Sequence, residues 1–214
     1  MPTIYGVYRS RASRPLWLMH EAGVAFDHVP VIQAYRLPGA AMPGVTLDTT
    51  SPAYLQVNPQ GQIPAMVDGD LVLTESLGIT LYLAQRYCGA LGPQDAAESA
   101  LMTQWALFAA TAIETPALEI MMAPQGDLGE ATLAVSAEKL RRPLARLNGH
   151  LAHQDWMLAR GFTAADIVVA ECVRYAMGHP TLIAEFPRVE AWLKTCHARP
   201  GFQTMWAGRL AEPA

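Results

Sequence analysis

The sequence predicts an α/β unit followed by an all-α helical bundle. Three observations carry this. Short β-rich runs alternate with helical patterns up to residue 88 and then stop. A Gly/Pro-rich stretch, GALGPQD, fills residues 89–95 and reads as a linker. From residue 96 to 214 the long segments follow the 3.6-residue period of a helix.

The elements of the first unit, 1–88, follow in order. TIYGVY is a first strand. SRASRPLWLMHEAGV reads as a helix with Ser13 as N-cap, Pro15 in the first turn and Gly23 as its stop. HVPVIQAY is a second strand. The stretch from Arg36 to Pro52 holds three prolines and two glycines and has no period, so it reads as a long loop. SPAYLQVNP suits a short helix. IPAMVDG and DLVLT read as a hairpin turning at Asp68-Gly69. ESLGITLYLAQRYC follows as a helix with Leu77, Leu81, Ala84 and Cys88 on one face. An early βαβ unit implies a parallel strand pair, and the hairpin adds antiparallel strands. A four-stranded mixed sheet closes the pattern.

In the second unit, residues 96–123 form a long apolar helix pattern that Pro116 should kink or divide. Residues 130–152 form a second helix despite Pro143. TAADIVVAECVRYAMG, 163–178, is apolar nearly all round and should be buried at the centre. Thr163 and Asp166 have the spacing of a capping box, with Asp in place of the usual Glu or Gln. PRVEAWLKTCH is a fourth helix, stopped at Arg199-Pro200-Gly201.

Composition narrows the function. The chain has 214 residues, 51% of them hydrophobic, and a net charge of −4. Of 15 cationic residues only Lys139 and Lys194 are lysines, and no basic run exists, which argues against nucleic acid as a partner. No signal pattern opens the chain, and no apolar run reaches the roughly 18 residues of a membrane span. Cys88, Cys172 and Cys196 are too few and too scattered for a disulfide framework or a zinc site, so no metal is expected. Buried thiols in a reducing, cytoplasmic compartment are the expectation.

Two stretches can carry chemistry. In NPQGQIPAMVDGDLVLTES, the Ile63-Pro64 bond opens a strand and invites a cis peptide. If Ile63 lies on an open edge, its N–H and C=O can pair with an extended peptide. Pro64 could equally just start an edge strand. Glu75-Ser76 opens a helix, where a carboxylate and a hydroxyl serve as ordinary first-turn residues. There a serine can also bind an external carboxylate, and the neighbouring glutamate an ammonium. Such a pair suits an α-amino acid head group. In YRSRASRPLW, Ser10 and Ser13 flank the strand–helix junction beside Arg11 and Arg14. A hydroxyl together with free helix N–H groups could stabilise a thiolate by about one to two pKa units. Both serines also fit plain turn and cap roles.

With these motifs the chain resembles the cytosolic glutathione S-transferases over essentially its whole length. The segments that carry the resemblance are YRSRASRPLWLMHEAGVAFDHVPV, NPQGQIPAMVDGDLVLTES, FTAADIVVAECV and ARPGF. It implies a thioredoxin-like N-terminal domain, a helical C-terminal domain and a homodimer. It implies that Ile63, before a cis Pro64, pairs with the cysteinyl part of glutathione, and that Glu75 and Ser76 hold the γ-glutamyl end. Ser10 resembles the catalytic serine of the serine-type classes, with Ser13, Tyr5 and Tyr8 as neighbours that could compete for the role. Thr163 and Asp166 resemble the family's structural capping box. Gln62 stands where many members have lysine, so the glycyl carboxylate would lean on Gln62 or on an arginine such as Arg36. The loop from Arg36 to Pro52 is longer than the family usually has. The implied reaction is attack of glutathione thiolate on a small apolar electrophile in a detoxifying role. The electrophile site would lie between the domains, partly along the 96–123 helix; that helix carries Trp105, Phe108, Met121 and Met122, which at helical spacing read as core more than as pocket. A cysteine-based mechanism is disfavoured, since no cysteine precedes Cys88. Glutathione-dependent isomerisation, dehalogenation or peroxide reduction, and a non-catalytic scaffold, are the alternatives.

Overall fold

The computed structural model describes residues 1–36 and 47–212, so residues 37–46 of the predicted long loop lie outside the described residues. The chain divides into two compact units, Met1–Gly92 with Arg199–Ala214, and Pro93–Ala198.

The first unit contains β1 (Thr3–Tyr5), α1 (Ser13–Ala22), β2 (Asp27–Val29), β3 (Val31–Ile32), β4 (Leu47–Asp48), α2 (Pro52–Leu55), β5 (Ala65–Asp68), β6 (Leu71–Thr74) and α3 (Ser76–Tyr87). Its main sheet has the order β2-β1-β5-β6. The β1–β2 pair is parallel and the other two are antiparallel, as the βαβ-plus-hairpin pattern predicts. The second predicted strand, however, is divided. Pro30 has no N–H for the ladder, and the chain leaves β2 there to form β3. β3 pairs in parallel with β4, Val31 opposite Leu47 and Ile32 opposite Asp48. Leu47–Asp48, read as loop, is thus a short strand of a small second sheet. Under it Val31, Tyr54 and Ala65 are buried together, with Ile63 packed against them.

The burial of α1 runs from Ser13 to Met19 without a break. Ser13 is the first helical residue, not the N-cap: Ala12 holds the cap position, with no side-chain cap bond. Gly23, at φ 63°, closes the helix in the left-handed conformation that glycine adopts without strain. In α3 the buried face is Ser76, Ile79, Thr80, Leu83 and Ala84. Leu77 and Leu81 from the predicted face are only half-buried.

The second unit contains α4 (Ala96–Phe108), α5 (Thr115–Met121), α6 (Asp127–His150), α7 (Ala164–Arg174) and α8 (Pro187–His197). Pro116 does interrupt the long first pattern. A π-helical turn, Ala109–Glu114, joins α4 to α5 just before the proline. Its wider hydrogen-bond spacing accommodates a ring that would otherwise collide with the preceding turn. Every residue of α7 is buried. The capping box at its start is formed, with the Thr163 N–H donating to Asp166 Oδ2 at 2.9 Å. Asp166 Oδ1 also accepts from the Met157 N–H at 2.9 Å and from Trp192 Nε1 at 3.1 Å. Burial pushes its carboxyl up to about 6 against these donors, which pull it down. Further along α7, Arg174 makes a bidentate bond to Glu171 at 2.6 and 3.0 Å, with both side chains buried.

The predicted fourth helix, α8, ends at His197, just before Arg199-Pro200-Gly201, but the helical pattern resumes. Pro200 opens a further helix, α9 (Pro200–Ala211), because a proline in the first turn needs no N–H partner. This helix groups with the first unit, although residues 96–214 read as one helical stretch. It packs on α1 through Glu21, which accepts from Arg199 Nε at 2.8 Å and the Gly201 N–H at 3.1 Å. A Cβ at Gly201 would stand 2.5 Å from Glu21, so this approach needs glycine. All three cysteines are free thiols and buried. No helix among the described residues is long and apolar enough to cross a membrane.

Candidate active site

The turn between β1 and α1 is built around Ser10. Its Oγ donates to the Val7 carbonyl at 2.6 Å and accepts from the Ala12 N–H at 3.0 Å. The N–H groups of Ser13 and Arg14 go to the carbonyls of Ser10 and Arg11, at 3.2 and 3.4 Å. The first helical N–H groups, expected to be free for an anion, are therefore spent on the turn. At this junction the residue Ser10 is partly exposed, beside the exposed Arg11.

The Asn58–Pro64 segment is held as firmly. The Gln62 carbonyl accepts from the Tyr54 hydroxyl, and from Asn58 Nδ2 at 2.7 Å. Burial pushes the Tyr54 phenol up to about 12, which keeps it protonated as a donor. Gly61 sits at φ +60°, and a Cβ there would lie 2.7 Å from the Thr49 carbonyl oxygen. Ile63-Pro64 is a cis peptide. Among the described residues, neither the N–H nor the C=O of Ile63 has a backbone hydrogen-bond partner. Its edge is open to an added extended segment.

These two segments meet. A cavity of about 260 Å³ is lined by Ser10, Arg11, Gln33, Tyr35, Thr49, Gly61, Gln62 and Ile63. Three of the predicted site residues, Ser10, Gln62 and Ile63, thus share one wall. Ser13 does not line this cavity, and neither do Tyr5 and Tyr8. The Tyr8 hydroxyl is 3.1 Å from His20 Nε2, and burial raises its pKa. Arg36, offered as a carboxylate partner, instead donates to the Arg9 carbonyl at 3.2 Å, and Arg11 is the arginine on the cavity wall.

Glu75 and Ser76 stand at the start of α3, outside this lining. Glu75 is exposed and has φ 68°, a left-handed conformation that costs a non-glycine residue about 1–2 kcal/mol. Its carbonyl accepts from the Ile79 N–H at 2.9 Å, so the strained residue also starts the helix. Ser76 is buried, and its Oγ accepts from Arg14 Nη1 at 2.7 Å. Arg14 thus links the starts of α1 and α3. This bond leaves no local signature, because its partners are 62 residues apart. In the second unit Trp105 is core, donating from Nε1 to the Met157 carbonyl at 3.0 Å, whereas Met121 and Met122 are exposed. No cluster of three or more metal-ligating side chains occurs among the described residues.

Comparison with known proteins identifies the family. Residues 8–86 match the family model of the glutathione S-transferase N-terminal domain, and residues 102–200 that of the C-terminal domain. The chain is 30% identical to glutathione S-transferase 3 of Zea mays, over 94% of this chain and 90% of that protein. Its structure is similar to the theta class glutathione S-transferase of Xanthomonas axonopodis pv. citri, solved with glutathione bound. That likeness has a TM-score of 0.79 at 30% identity and covers 95% of each chain. Glutathione transferase F7 of Populus trichocarpa shares the fold at TM-score 0.80 and 24% identity, over 97% of this chain and 99% of that one. The chain belongs to the glutathione S-transferase family. Its sheet-bearing unit is the family's thioredoxin-like domain, and its helical unit the C-terminal domain.

Proposed function

We propose that Ser10 is the hydroxyl with which this glutathione transferase stabilises the thiolate of bound glutathione, for attack on a small apolar electrophile. The observation that carries the reading is the shared cavity wall of Ser10, Gln62 and Ile63. The open backbone pair of Ile63 takes the cysteinyl part of glutathione as an added strand, beside the cis Pro64. This sets the sulfur near Ser10. Glu75 and Ser76 take the ammonium and carboxylate of the γ-glutamyl end, with Arg14 adding positive charge through Ser76. The glycyl carboxylate falls to Gln62 and Arg11. Since the Ala12 N–H occupies one lone pair of Ser10 Oγ, the hydroxyl acts on the ligand as a donor. Its proton turns from the Val7 carbonyl to the thiolate, exchanging a neutral acceptor for a charged one. With the helix N–H groups already engaged, this lowers the thiol pKa by about one unit, or about 1.4 kcal/mol. We place the protein in the cytoplasm, where free cysteines stay reduced, as a homodimer with a role in detoxification.

A second reading, a glutathione-binding protein without turnover, has one observation behind it. The Ser10 proton already has an acceptor at 2.6 Å. Calorimetric titration with glutathione, and the ultraviolet absorbance of the bound thiolate against pH, separate the two. Transferase action requires binding with a depressed thiol pKa that Ser10→Ala abolishes and Ser13→Ala leaves intact. Binding with an ordinary thiol pKa selects the second reading.

A further inference from the structure

The C-terminal segment reaches back to the residues just before Ser10. Beyond α9 the backbone of Glu212 is extended, and its carboxylate accepts from two consecutive N–H groups, Tyr8 and Arg9, each at 2.7 Å. Arg209 Nη1 donates to the Tyr8 carbonyl at 3.1 Å. In return Arg9 Nε donates to the carbonyls of Arg209 and Glu212, both at 3.1 Å. The Arg9 carbonyl is taken by Arg36. Every backbone polar group of Tyr8 and Arg9 is thus engaged, three of the four by the chain's own C-terminal end. The approach is close. A Cβ at Gly208 would stand 2.7 Å from the Tyr8 ring.

We infer that Glu212, with Arg209, is a positioning device for the Ser10 hydroxyl, an inference that rests on the catalytic reading of Ser10. Nothing else in the chain accepts the Tyr8 and Arg9 N–H groups among the described residues. Without the carboxylate these donors turn to water, and the strand-to-helix connection gains freedom one residue before Ser10. The hydroxyl must then lose orientation toward a bound thiolate, while the Asn58–Pro64 loop that pairs with glutathione is untouched.

The test measures the pKa of bound glutathione thiol by ultraviolet absorbance, and glutathione affinity by calorimetry. The proteins are wild type, Ser10→Ala, Glu212→Ala, Glu212→Gln and the double variant Ser10→Ala/Glu212→Ala. Glu212→Ala is expected to raise the thiol pKa by about half a unit or more with affinity within about twofold. Glu212→Gln, which keeps one acceptor oxygen, is expected to fall between it and wild type. The change should vanish when Ser10 is already alanine, because a positioning residue acts only through the group it positions. If Glu212→Ala does not fold, Glu212→Gln carries the same comparison. A lowered melting temperature with an unmoved thiol pKa overturns the inference while Ser10 stands. So does a Glu212 effect that persists in the Ser10→Ala background. If Ser10→Ala itself leaves the thiol pKa unchanged, the reading of Ser10 fails first, and the role of Glu212 falls with it.

Discussion

Replacing Gly61 by alanine tests how tightly the Asn58–Pro64 side of the candidate cavity is built. Two costs follow from the geometry. Alanine at φ +60° pays the left-handed penalty, about 1 kcal/mol. Its Cβ would also meet the Thr49 carbonyl oxygen at 2.7 Å, too close for either to stay in place. Neither side yields easily. The Thr49 N–H is bonded to the Ile32 carbonyl at 2.9 Å, and its Oγ1 accepts from the Ala34 N–H at 3.0 Å. Gly61 is bonded through its own N–H to the Asn58 carbonyl at 3.0 Å. Relief of such overpacking costs about 1–3 kcal/mol, so the sum is about 2–4 kcal/mol. For a chain of this length that is a melting temperature lower by roughly 4–16 °C. Gly69 supplies the control, since it has the same φ of +60° and nothing within 4 Å of its would-be Cβ. Gly69→Ala should cost only about 1 kcal/mol. Thermal unfolding followed by circular dichroism gives the stabilities, and calorimetry gives glutathione affinity. Gly61→Ala should weaken glutathione binding, because the displaced loop carries Gln62 and Ile63, and Gly69→Ala should not. Equal destabilisation by the two substitutions, with equal affinity, would refute the claim that the Thr49 contact is what requires glycine.

Other outcomes are expected elsewhere. Asp166→Ala should cost about 3–5 kcal/mol in urea unfolding, because it strands the buried N–H groups of Met157, Thr163 and Trp192. The folded-state pKa of Asp166, about 6 against 3.8 in its ordinary state, makes the native protein bind a proton that the unfolded chain has already lost. This group's contribution to stability therefore rises as pH falls from about 6 to about 4, by up to roughly 3 kcal/mol. Asp166→Asn should remove that slope when the two unfolding profiles are subtracted. Glu171→Ala should destabilise by about 3–5 kcal/mol, since it leaves the Arg174 charge buried without its bidentate partner, and denaturant unfolding would read it. Arg14→Met should weaken glutathione binding in calorimetry, because the side chain's bond to Ser76 Oγ ties the start of α3 to α1.

What could be read in the sequence was local. The hairpin at Asp68-Gly69, the capping box of Thr163 and Asp166, and the interruption at Pro116 each rest on residues within a few positions of one another. Patterns at that range have fixed physical signatures in backbone sterics and helix ends. Of the candidate site, the local geometry was legible, as in the cis Ile63-Pro64 bond of the Asn58–Pro64 turn. The misses have two sources. One is punctuation with two meanings: Pro30 divides what reads as a single strand, and Pro200, just past the stop of α8, also opens α9. The other is distance. Arg14 meets Ser76, and Glu212 meets Tyr8 across 204 residues, and neither pairing leaves a periodic trace. Ser13 is no cap because the helix starts one residue earlier: Pro15 has no N–H to offer, and the Leu16 N–H goes to the Ala12 carbonyl at 3.1 Å.

The burial of the three cysteines has a consequence for a protein whose co-substrate is itself a thiol. Glutathione disulfide exchanges only with a thiolate that it can reach. Cys88 is far from being one, with its pKa pushed up to about 12 by burial, and Cys172 and Cys196 are enclosed as well. The chain therefore offers no partner for a mixed disulfide. When a cell's glutathione pool becomes oxidised, this transferase runs short of substrate but is not itself capped, and it resumes work as soon as the pool is reduced.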